Sequence, residues 1–250
     1  MEFSLVGGLK TAVVSRSDLA KTMLKDCLEA RSVSLQPKVV FSSNGQGVAL
    51  AAQSETFKKT METADIIHAD GQSLVFASKL FCKKPLPERV ATTDFFHDAA
   101  EIAESNGLSF FILGSKEEEN LKAVQEMQRM YPNLKVVGRH HGYFERDSKE
   151  EDEVIEMINS SKADVLWVAL GKPNQEYWCE RVKARLNVGW IKTCGGLYEF
   201  LSGNVSRAPE VMQKLGLEWL YRTSQDPKRL LWRYLTTNPL ALYKLVTKSK

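Results

Sequence analysis

The sequence has few cysteines and no long apolar run. Cys27, Cys82, Cys179 and Cys194 are far apart and form no C-x-x-C pair, so neither a disulfide framework nor a zinc site is indicated. No stretch approaches the roughly 18 uninterrupted apolar residues that a membrane-spanning helix needs. No apolar segment follows Met1, so nothing suggests a signal peptide. We therefore expect a chain that folds in the cytoplasm.

Several motifs of nucleotide-binding and hydrolytic enzymes are also absent. There is no G-x-G-x-x-G after the first predicted strand, which argues against a dinucleotide-dependent oxidoreductase, and no G-x-x-x-x-G-K-[ST], which argues against an NTPase. The G-x-S-x-G nucleophile elbow is missing. No D-x-D pair is present to hold a divalent cation against a diphosphate. A bound nucleotide diphosphate would have to be neutralised by arginines and backbone amides, and we expect neither a metal nor a cofactor.

The charge of the chain is unevenly distributed. The 250 residues carry a net charge of +3, and 43% of them are hydrophobic, as in a soluble globular protein. Residues 205–250 contain nine Lys or Arg against three Asp or Glu, a balance of +6, so the preceding part of the chain is net acidic. The last fifth of the protein therefore favours an anionic partner.

The same segment is rich in aromatic residues. Trp219, Tyr221, Trp232 and Tyr234 lie on predicted helices beside several arginines. Such a combination suits an anionic membrane surface, because Trp and Tyr settle at the depth of the lipid headgroups while Arg and Lys meet phosphates. The alternative is a helical cap whose aromatic side chains are buried and whose charges are solvated.

Short apolar runs alternate with segments of helical periodicity along most of the chain. The runs that read as strands cover 38–41, 65–69, 108–113, 135–138, 164–170 and 189–193. The helical patterns include 48–63, 72–81, 116–130 and 148–160 and, in the last segment, 211–221, 228–236 and 240–246. This alternation predicts a Rossmann-like α/β fold, a mostly parallel sheet with helices on both faces. We expect residues 1–205 to form this core and residues 206–250 to form a basic helical appendage.

The stretch 163–178 indicates where a ligand would bind. Its first half is an apolar run ended by Gly171 and Pro173, and its second half reads as the start of a helix with Gln175 and Glu176 in the first turn. Ligands of open α/β sheets bind at the carboxyl ends of the strands. An ordinary strand-to-helix corner with two polar residues is the alternative.

Other predicted strands also end in polar residues. Ser42 and Asn44 follow one apolar run, and Asp70 follows the next. In a doubly wound sheet such strand ends can converge on one cleft. Asp70 is the best candidate for a general base, because a carboxylate that is partly desolvated at a strand end is a stronger base. A common Asp-Gly turn at Asp70-Gly71 is the alternative.

Six motifs occur in a fixed order between about residues 38 and 234. They are Ala69-Asp70-Gly71, Glu88-Arg89-Val90 with Asp94, Tyr131-Pro132, Gly142-Tyr143-Phe144, Gly171-Lys172-Pro173-Asn174-Gln175-Glu176, and Arg207-Ala208-Pro209 leading to Gly216-Leu217-Glu218-Trp219-Leu220-Tyr221-Arg222. Each motif is weak by itself. Together they make the chain resemble the WecG/TagA/CpsF glycosyltransferases, glycosyltransferase family 26.

The resemblance implies a function. It implies an inverting, metal-independent transfer of a hexose or N-acetylhexosamine, of the N-acetylmannosamine type, from a UDP-sugar to a polyprenyl-diphosphate-linked sugar. Such transfers build bacterial cell-surface polysaccharides, including exopolysaccharide, capsule and teichoic acid. The implied location is the inner face of the cell membrane, with peripheral attachment to its anionic surface. No nucleic-acid partner is expected, and a soluble, inactive homo-oligomer is compatible with this arrangement.

The resemblance also assigns roles to residues. It implies that Asp70 is the general base that deprotonates the acceptor hydroxyl. The substrate contacts that it implies are Ser42 and Asn44 in the same pocket, Arg89 near the donor, Gln175 and Glu176 on the donor or acceptor sugar, and Arg207, Arg222 and Arg229 or Arg233 on the acceptor diphosphate. The last four belong to the appendage, where they would close the site at the membrane.

The sequence departs from the usual family pattern near this pocket. Ser42 stands where Thr is usual, Ser73 and Thr92 stand where Gly is usual, and Glu199 stands where Asp is usual. These differences affect the expected identity of the donor sugar more than the expected type of reaction. They also motivate the alternative that the chain is a non-catalytic sugar-nucleotide-binding subunit of a polysaccharide assembly complex.

Overall fold

The computed structural model describes residues 1–33 and 35–250, apart from the side chain of Arg229, and it shows a mixed α/β protein. The strands are β1 Phe3–Val6, β2 Leu9–Ala12, β3 Lys38–Ser43, β4 Ile66–Ala69, β5 Ser109–Gly114, β6 Lys135–His140, β7 Val165–Ala169 and β8 Trp190–Thr193. The helices are α1 Arg16–Ser32, α2 Gly45–Gln53, α3 Glu55–Glu62, α4 Gln72–Phe81, α5 Thr92–Asn106, α6 Glu117–Met130, α7 Lys149–Ser161, α8 Asn174–Val182, α9 Leu197–Leu201, α10 Glu210–Lys214, α11 Glu218–Gln225 and α12 Pro227–Thr247. A short 3-10 helix, Lys183–Arg185, follows α8.

The main sheet has six strands in the order β4-β3-β8-β7-β5-β6. β3 runs parallel to β8, β8 to β7, β7 to β5 and β5 to β6. The predicted parallel α/β fold is therefore confirmed. β1 and β2, which precede the first predicted strand at 38–41, form a separate antiparallel pair.

The chain divides into two compact units. The first unit comprises residues 1–16, 41–91 and 205–250, and the second comprises residues 17–40 and 92–204. The core of the second unit surrounds β5 and β7, every residue of which is buried. These strands lack the polar alternation of a half-exposed sheet because both of their faces are covered.

The C-terminal segment shares a core with residues 41–91 in the first unit. Ala241 and Leu245 of α12 belong to one buried cluster with Val48 of α2 and Leu74 of α4. α12 and α2 are thus held together by burial of apolar surface. The expected division between a core and an appendage at residue 205 stays a prediction about function.

Two predicted helices are each broken in the structure. The pattern at 48–63 forms α2 and α3, which meet at Ser54, whose hydroxyl caps α3 by accepting a hydrogen bond from the Phe57 amide at 3.1 Å. The pattern at 211–221 forms α10 and α11, which are separated at Gly216. Gly216 has a φ of +75°, a left-handed conformation that ends helices and favours glycine.

By contrast, the predicted helices 228–236 and 240–246 form one helix. α12 continues through Pro239, where the sequence suggested a break. Proline removes one backbone hydrogen bond from a helix interior, but burial of Leu230 before it and of Ala241 and Leu245 after it favours a continuous helix. No helix in the described part of the chain has the length and apolar character that crossing a membrane requires.

Candidate active site

The first unit brings Asn44 and Asp70 together. Asn44 directly follows β3, and Asp70 directly follows β4. The Asn44 amide donates a hydrogen bond from Nδ2 to Asp70 Oδ2 at 3.3 Å, and Asn44 Oδ1 accepts one from the Gly47 amide at 3.1 Å. Asn44 is thus the N-cap of α2 and also helps to orient the Asp70 carboxylate.

The backbone around this pair is tightly packed. The Asp70 amide donates to the Ser43 carbonyl at 2.7 Å, which fixes the end of β4 beside the end of β3. A Cβ atom added to Gly71 would lie 3.2 Å from both Cα and Cβ of Asn44, so a larger residue would crowd the pair. Ser42 is buried in β3 two residues before Asn44. The sequence prediction that these three polar residues lie at neighbouring strand ends agrees with this geometry.

A second polar cluster in the first unit contains two arginines. Arg89 Nη1 donates to Glu218 Oε2 at 2.8 Å, and Arg207 Nε donates to Glu218 Oε1 at 3.2 Å. Gln213 Oε1 accepts from both guanidinium groups, at 3.0 Å from Arg89 and 2.6 Å from Arg207. We call these four residues the arginine cluster. Its formal charge is +1, because one carboxylate faces two guanidinium groups.

A backbone hydrogen bond holds the chain next to Arg89 against the chain next to Asp70. The Val90 amide donates to the Ala69 carbonyl at 2.8 Å, so the residue after Arg89 is held against the residue before Asp70. Sequence reasoning singled out Arg89 and Arg207 but gave no role to Gln213 or Glu218. A signal was available for Glu218, since it is one of only three acidic residues in the basic segment 205–250.

The remaining predicted arginines lie on the C-terminal helices. Arg222 is on α11 and Arg233 is on α12. The Arg233 guanidinium lies 4.6 Å from the ring centroid of Tyr234, a cation–π contact. The side chain of Arg229 lies outside the described part of the structure. Binding of the acceptor diphosphate by these residues stays a prediction.

In the second unit, Gln175 and Glu176 occupy the first turn of α8, as the sequence predicts. Both side chains are buried. Gln175 Nε2 donates to Glu176 Oε1 at 2.9 Å, Gln175 Oε1 accepts from the Gly195 amide at 3.2 Å, and Lys172 Nζ lies 3.0 Å from Glu176 Oε1. Gln175 therefore links the loop after β8 to the start of α8.

The end of β8 adds buried polar groups that the sequence analysis missed. Lys192 is fully buried and donates from Nζ to the Thr193 carbonyl at 2.5 Å. The sequence offered one sign of these groups, because a lysine inside a short buried strand, here Trp190–Thr193, is unusual. Burial raises the pKa of Cys194 to about 12, so its thiol is neutral near pH 7 and is not suited to nucleophilic catalysis.

The described residues contain no group of three or more His, Cys, Asp or Glu side chains arranged to hold a metal ion. That the reaction requires no metal stays a prediction. In the first unit, the charged groups of interest are the Asp70 carboxylate at the end of β4 and the net positive arginine cluster. A carboxylate can act as a general base and guanidinium groups can bind an anionic leaving group, so these groups suit group transfer on an anionic substrate.

Comparison with known proteins gives the family. Residues 5–250 match the glycosyl transferase WecG/TagA/CpsF family, and the chain belongs to this family. It is therefore a glycosyltransferase. This agrees with the resemblance found in the motifs between about residues 38 and 234, and the match extends beyond them in both directions.

Two similar proteins come from Bacillus spizizenii and Staphylococcus aureus. An N-acetylglucosaminyldiphosphoundecaprenol N-acetyl-beta-D-mannosaminyltransferase of Bacillus spizizenii is 30% identical over 223 residues, which cover 89% of this chain and 81% of the relative. An enzyme of the same name from Staphylococcus aureus strain MRSA252 is 30% identical over 206 residues, which cover 82% of this chain and 78% of the relative.

Proposed function

We propose that this protein transfers a hexose or N-acetylhexosamine from a UDP-sugar to a sugar linked to polyprenyl diphosphate, with inversion at the anomeric carbon and without a metal. The observation that carries the proposal is the Asp70 carboxylate, oriented by Asn44 at the ends of β3 and β4. The names of the relatives support the acceptor, because both act on an N-acetylglucosaminyl diphosphoundecaprenol. The relatives transfer N-acetylmannosamine, and a sugar of that type is the first donor to test.

Asp70 is the proposed general base. In a direct displacement, the carboxylate takes the proton of the acceptor hydroxyl while the hydroxyl oxygen attacks the anomeric carbon and UDP leaves from the opposite face. The Asn44 amide holds one oxygen of the carboxylate, which limits rotation of the side chain. Ser42 supplies a hydroxyl on the neighbouring strand.

The arginine cluster is the proposed site of phosphate stabilisation. Negative charge accumulates on the departing diphosphate, and guanidinium groups bind phosphate oxygens in a bidentate manner. Arg89 and Arg207 are already held next to each other by Glu218 and Gln213, so little reorganisation would be needed during the reaction. We assign Arg89 to the donor and Arg207, together with Arg222, Arg229 or Arg233, to the acceptor diphosphate.

Gln175 and Glu176 are proposed to hold donor or acceptor sugar. A buried carboxylate and amide fixed by Lys172 and the Gly195 amide form the kind of rigid polar pair that recognises sugar hydroxyls. Glu176 Oε2 is buried and has no hydrogen-bond partner among the described residues, which leaves it available to a hydroxyl.

Contact with an anionic membrane is proposed for the C-terminal segment. α12 exposes apolar side chains along its length, and Trp232 among them is 74% exposed. We call this set the α12 strip, and it consists of Leu231, Trp232, Leu235, Leu242, Tyr243 and Val246. Because basic residues lie between the members of the strip, it suits an interface in which apolar groups enter the headgroup layer and lysines or arginines meet phosphates.

The decisive experiment is a transfer assay with the full chain. The purified protein is incubated with a panel of UDP-sugars and polyprenyl-diphosphate-linked N-acetylglucosamine, with and without a metal chelator, and both UDP release and product mass are measured. We expect acceptor-dependent release from one donor, unaffected by the chelator. Substitution Asp70→Asn should lower the rate at least about a hundredfold, as expected for loss of a general base, and leave UDP binding intact.

Asp65→Asn is the matched control, since Asp65 lies exposed just before β4, at the other end of the same strand. That variant should transfer sugar at the wild-type rate. Unchanged turnover in Asp70→Asn would show that Asp70 is not the base. UDP binding without transfer to any acceptor would instead favour the non-catalytic alternative.

A further inference from the structure

The C-terminal segment contains an apolar groove that none of the roles above uses. It has a volume of about 390 Å³ and lies between α10, α11 and the start of α12. Met212, Leu220, Tyr221, Pro227 and Leu231 supply most of its wall, and the exposed Ser224 also lines it. We call it the α10–α12 groove. Its volume is within the range of about 300 to 1,000 Å³ of pockets that bind small molecules.

The groove begins beside the arginine cluster. Met212 directly precedes Gln213, whose side chain accepts hydrogen bonds from both arginines. Tyr221 lies three residues after Glu218 on α11, so the two side chains are neighbours on one face of the helix. The Tyr221 hydroxyl is also 3.0 Å from the hydroxyl of Ser206, the residue before Arg207.

The groove also reaches the α12 strip. Leu231 lines the groove and is half exposed, and it is the first member of the strip. The groove is therefore lined at one end by residues that adjoin the arginine cluster and at the other by Leu231, on the surface proposed to meet the membrane. A ligand that fits this groove has a diphosphate at one end and a hydrocarbon chain bonded directly to it.

We propose that the α10–α12 groove binds the first isoprene units of the polyprenyl chain of the acceptor, next to its diphosphate. This inference rests on the proposed function. In a prenyl diphosphate the hydrocarbon begins at the phosphate oxygen, which matches a groove that starts beside guanidinium groups. In a phospholipid, glycerol and ester groups separate the phosphate from the acyl chains, so the nearly apolar wall beside the cluster does not match them.

The test uses soluble acceptors in buffer without detergent or vesicles, so that partition into a bilayer plays no part. N-acetylglucosamine diphosphate is linked either to a farnesyl chain or to a propyl chain, and kcat/KM is compared. The wild type should prefer the farnesyl acceptor by about tenfold or more, because burial of even two CH₂ groups is worth about that factor. Ser224→Trp fills the groove from an exposed position and should bring the ratio close to one.

Thr236→Trp is the matched control, because Thr236 is an exposed hydroxyl residue on α12 that does not line the groove. It should keep the wild-type preference. Leu231→Gln, which makes one wall of the groove polar at a half-exposed position, should reduce the preference independently of added bulk. Calorimetry with farnesyl diphosphate should show the same order of affinities, and a short-chain phosphatidic acid should bind more weakly than farnesyl diphosphate.

Three results would overturn the inference. They are equal kcat/KM for the farnesyl and propyl acceptors in the wild type, equal loss of preference in Ser224→Trp and Thr236→Trp, and binding of phosphatidic acid as tight as that of farnesyl diphosphate. A change of sedimentation in Ser224→Trp would identify a second copy of the chain as the occupant instead. If no acceptor were turned over, the proposed function would fail, while the binding of farnesyl diphosphate to the wild type and the three variants would still test the groove.

Discussion

Glu218 should be the residue that holds the arginine cluster together, and its replacement by glutamine tests this. The carboxylate accepts one hydrogen bond from Arg89 at 2.8 Å and one from Arg207 at 3.2 Å, and the three side chains are between 11% and 26% exposed. A hydrogen bond to a charged group contributes about 1.5 to 3 kcal/mol when well buried, and less where solvent screens it. Glutamine keeps one acceptor oxygen but places an amide donor against a guanidinium.

We therefore expect Glu218→Gln to lower the free energy of unfolding by about 2 kcal/mol. For a chain of this size that corresponds to a fall in melting temperature of roughly 4 to 8 °C. Hydrogen exchange of peptides from residues 205–225 should accelerate, because the cluster ties this segment to Arg89. Sugar transfer should also fall by about tenfold or more, since small displacements of groups that bind a substrate are costly to the rate.

Glu210→Gln provides the matched control for this prediction. Glu210 is largely exposed and pairs with Lys214 one helical turn away on α10, at 2.8 Å. Solvent screens exposed pairs of this kind, so they contribute little to stability and the control should melt close to the wild type. If the two variants had equal stability and equal exchange rates, the cluster would make no special contribution, and the reasoning would be wrong.

Two further predictions concern the membrane surface and the second unit. The double substitution Trp232→Gln and Leu235→Gln should weaken binding to anionic vesicles by about tenfold or more in co-sedimentation, because both apolar side chains are exposed on α12. In the second unit, Asp164 accepts hydrogen bonds from Arg31 at 2.7 and 2.8 Å and from Ser109 at 2.7 and 2.8 Å. Asp164→Asn should cost about 2 kcal/mol at pH 7, a value reduced for the partial exposure of Arg31.

The prediction on vesicle binding has a matched control in the second unit. Met157→Gln removes an exposed apolar side chain from the second unit and should not affect vesicle binding. A double variant that sedimented like the wild type would exclude the α12 strip as the contact. Deletion of the C-terminal segment would be less informative, because Ala241 and Leu245 belong to the core of the first unit and their loss would destabilise it.

The cost of Asp164→Asn should depend on pH. Burial acts to raise the pKa of Asp164, but the hydrogen bonds from Arg31 and Ser109 outweigh it and hold the pKa below its usual value. A lowered folded-state pKa means that the stabilisation is complete above the unfolded value of about 3.9 and is lost as the pH falls through the folded-state pKa. The stability difference between wild type and variant should therefore be constant near neutral pH and shrink below about pH 4. A difference that stayed unchanged in acid would contradict this assignment.

Local sequence patterns predicted most of the elements. The helix 72–81 has the predicted bounds, and β7 has the buried, uninterrupted apolar character expected of an inner parallel strand. Asp70, Gln175 and Glu176 lie where the sequence placed them, because strand ends and first helical turns follow from apolar runs and from the residues that interrupt them. The family, too, was recognisable from short motifs in a fixed order.

Helix boundaries were predicted less well where local and tertiary preferences differ. Ser54 divides a pattern that is helical on both sides, since its hydroxyl caps a new helix. Gly216 ends α10 in a left-handed conformation. Pro239 should end a helix by local rules, yet α12 continues because Ala241 and Leu245 beyond it are buried in the core of the first unit. Packing energy exceeded the cost of one lost hydrogen bond at that position.

The sequence by itself determined the parallel α/β fold, the strand-end position of Asp70 and the excess of basic charge in residues 205–250. Only the tertiary structure decided that Glu218 joins Arg89 to Arg207 and that an apolar groove begins beside them. The physical reason is distance along the chain. Arg89 and Glu218 are separated by 129 positions, and no periodicity or turn rule acts over such a separation. Contacts of this kind exist only after the strands and helices have packed, when burial fixes which distant side chains meet.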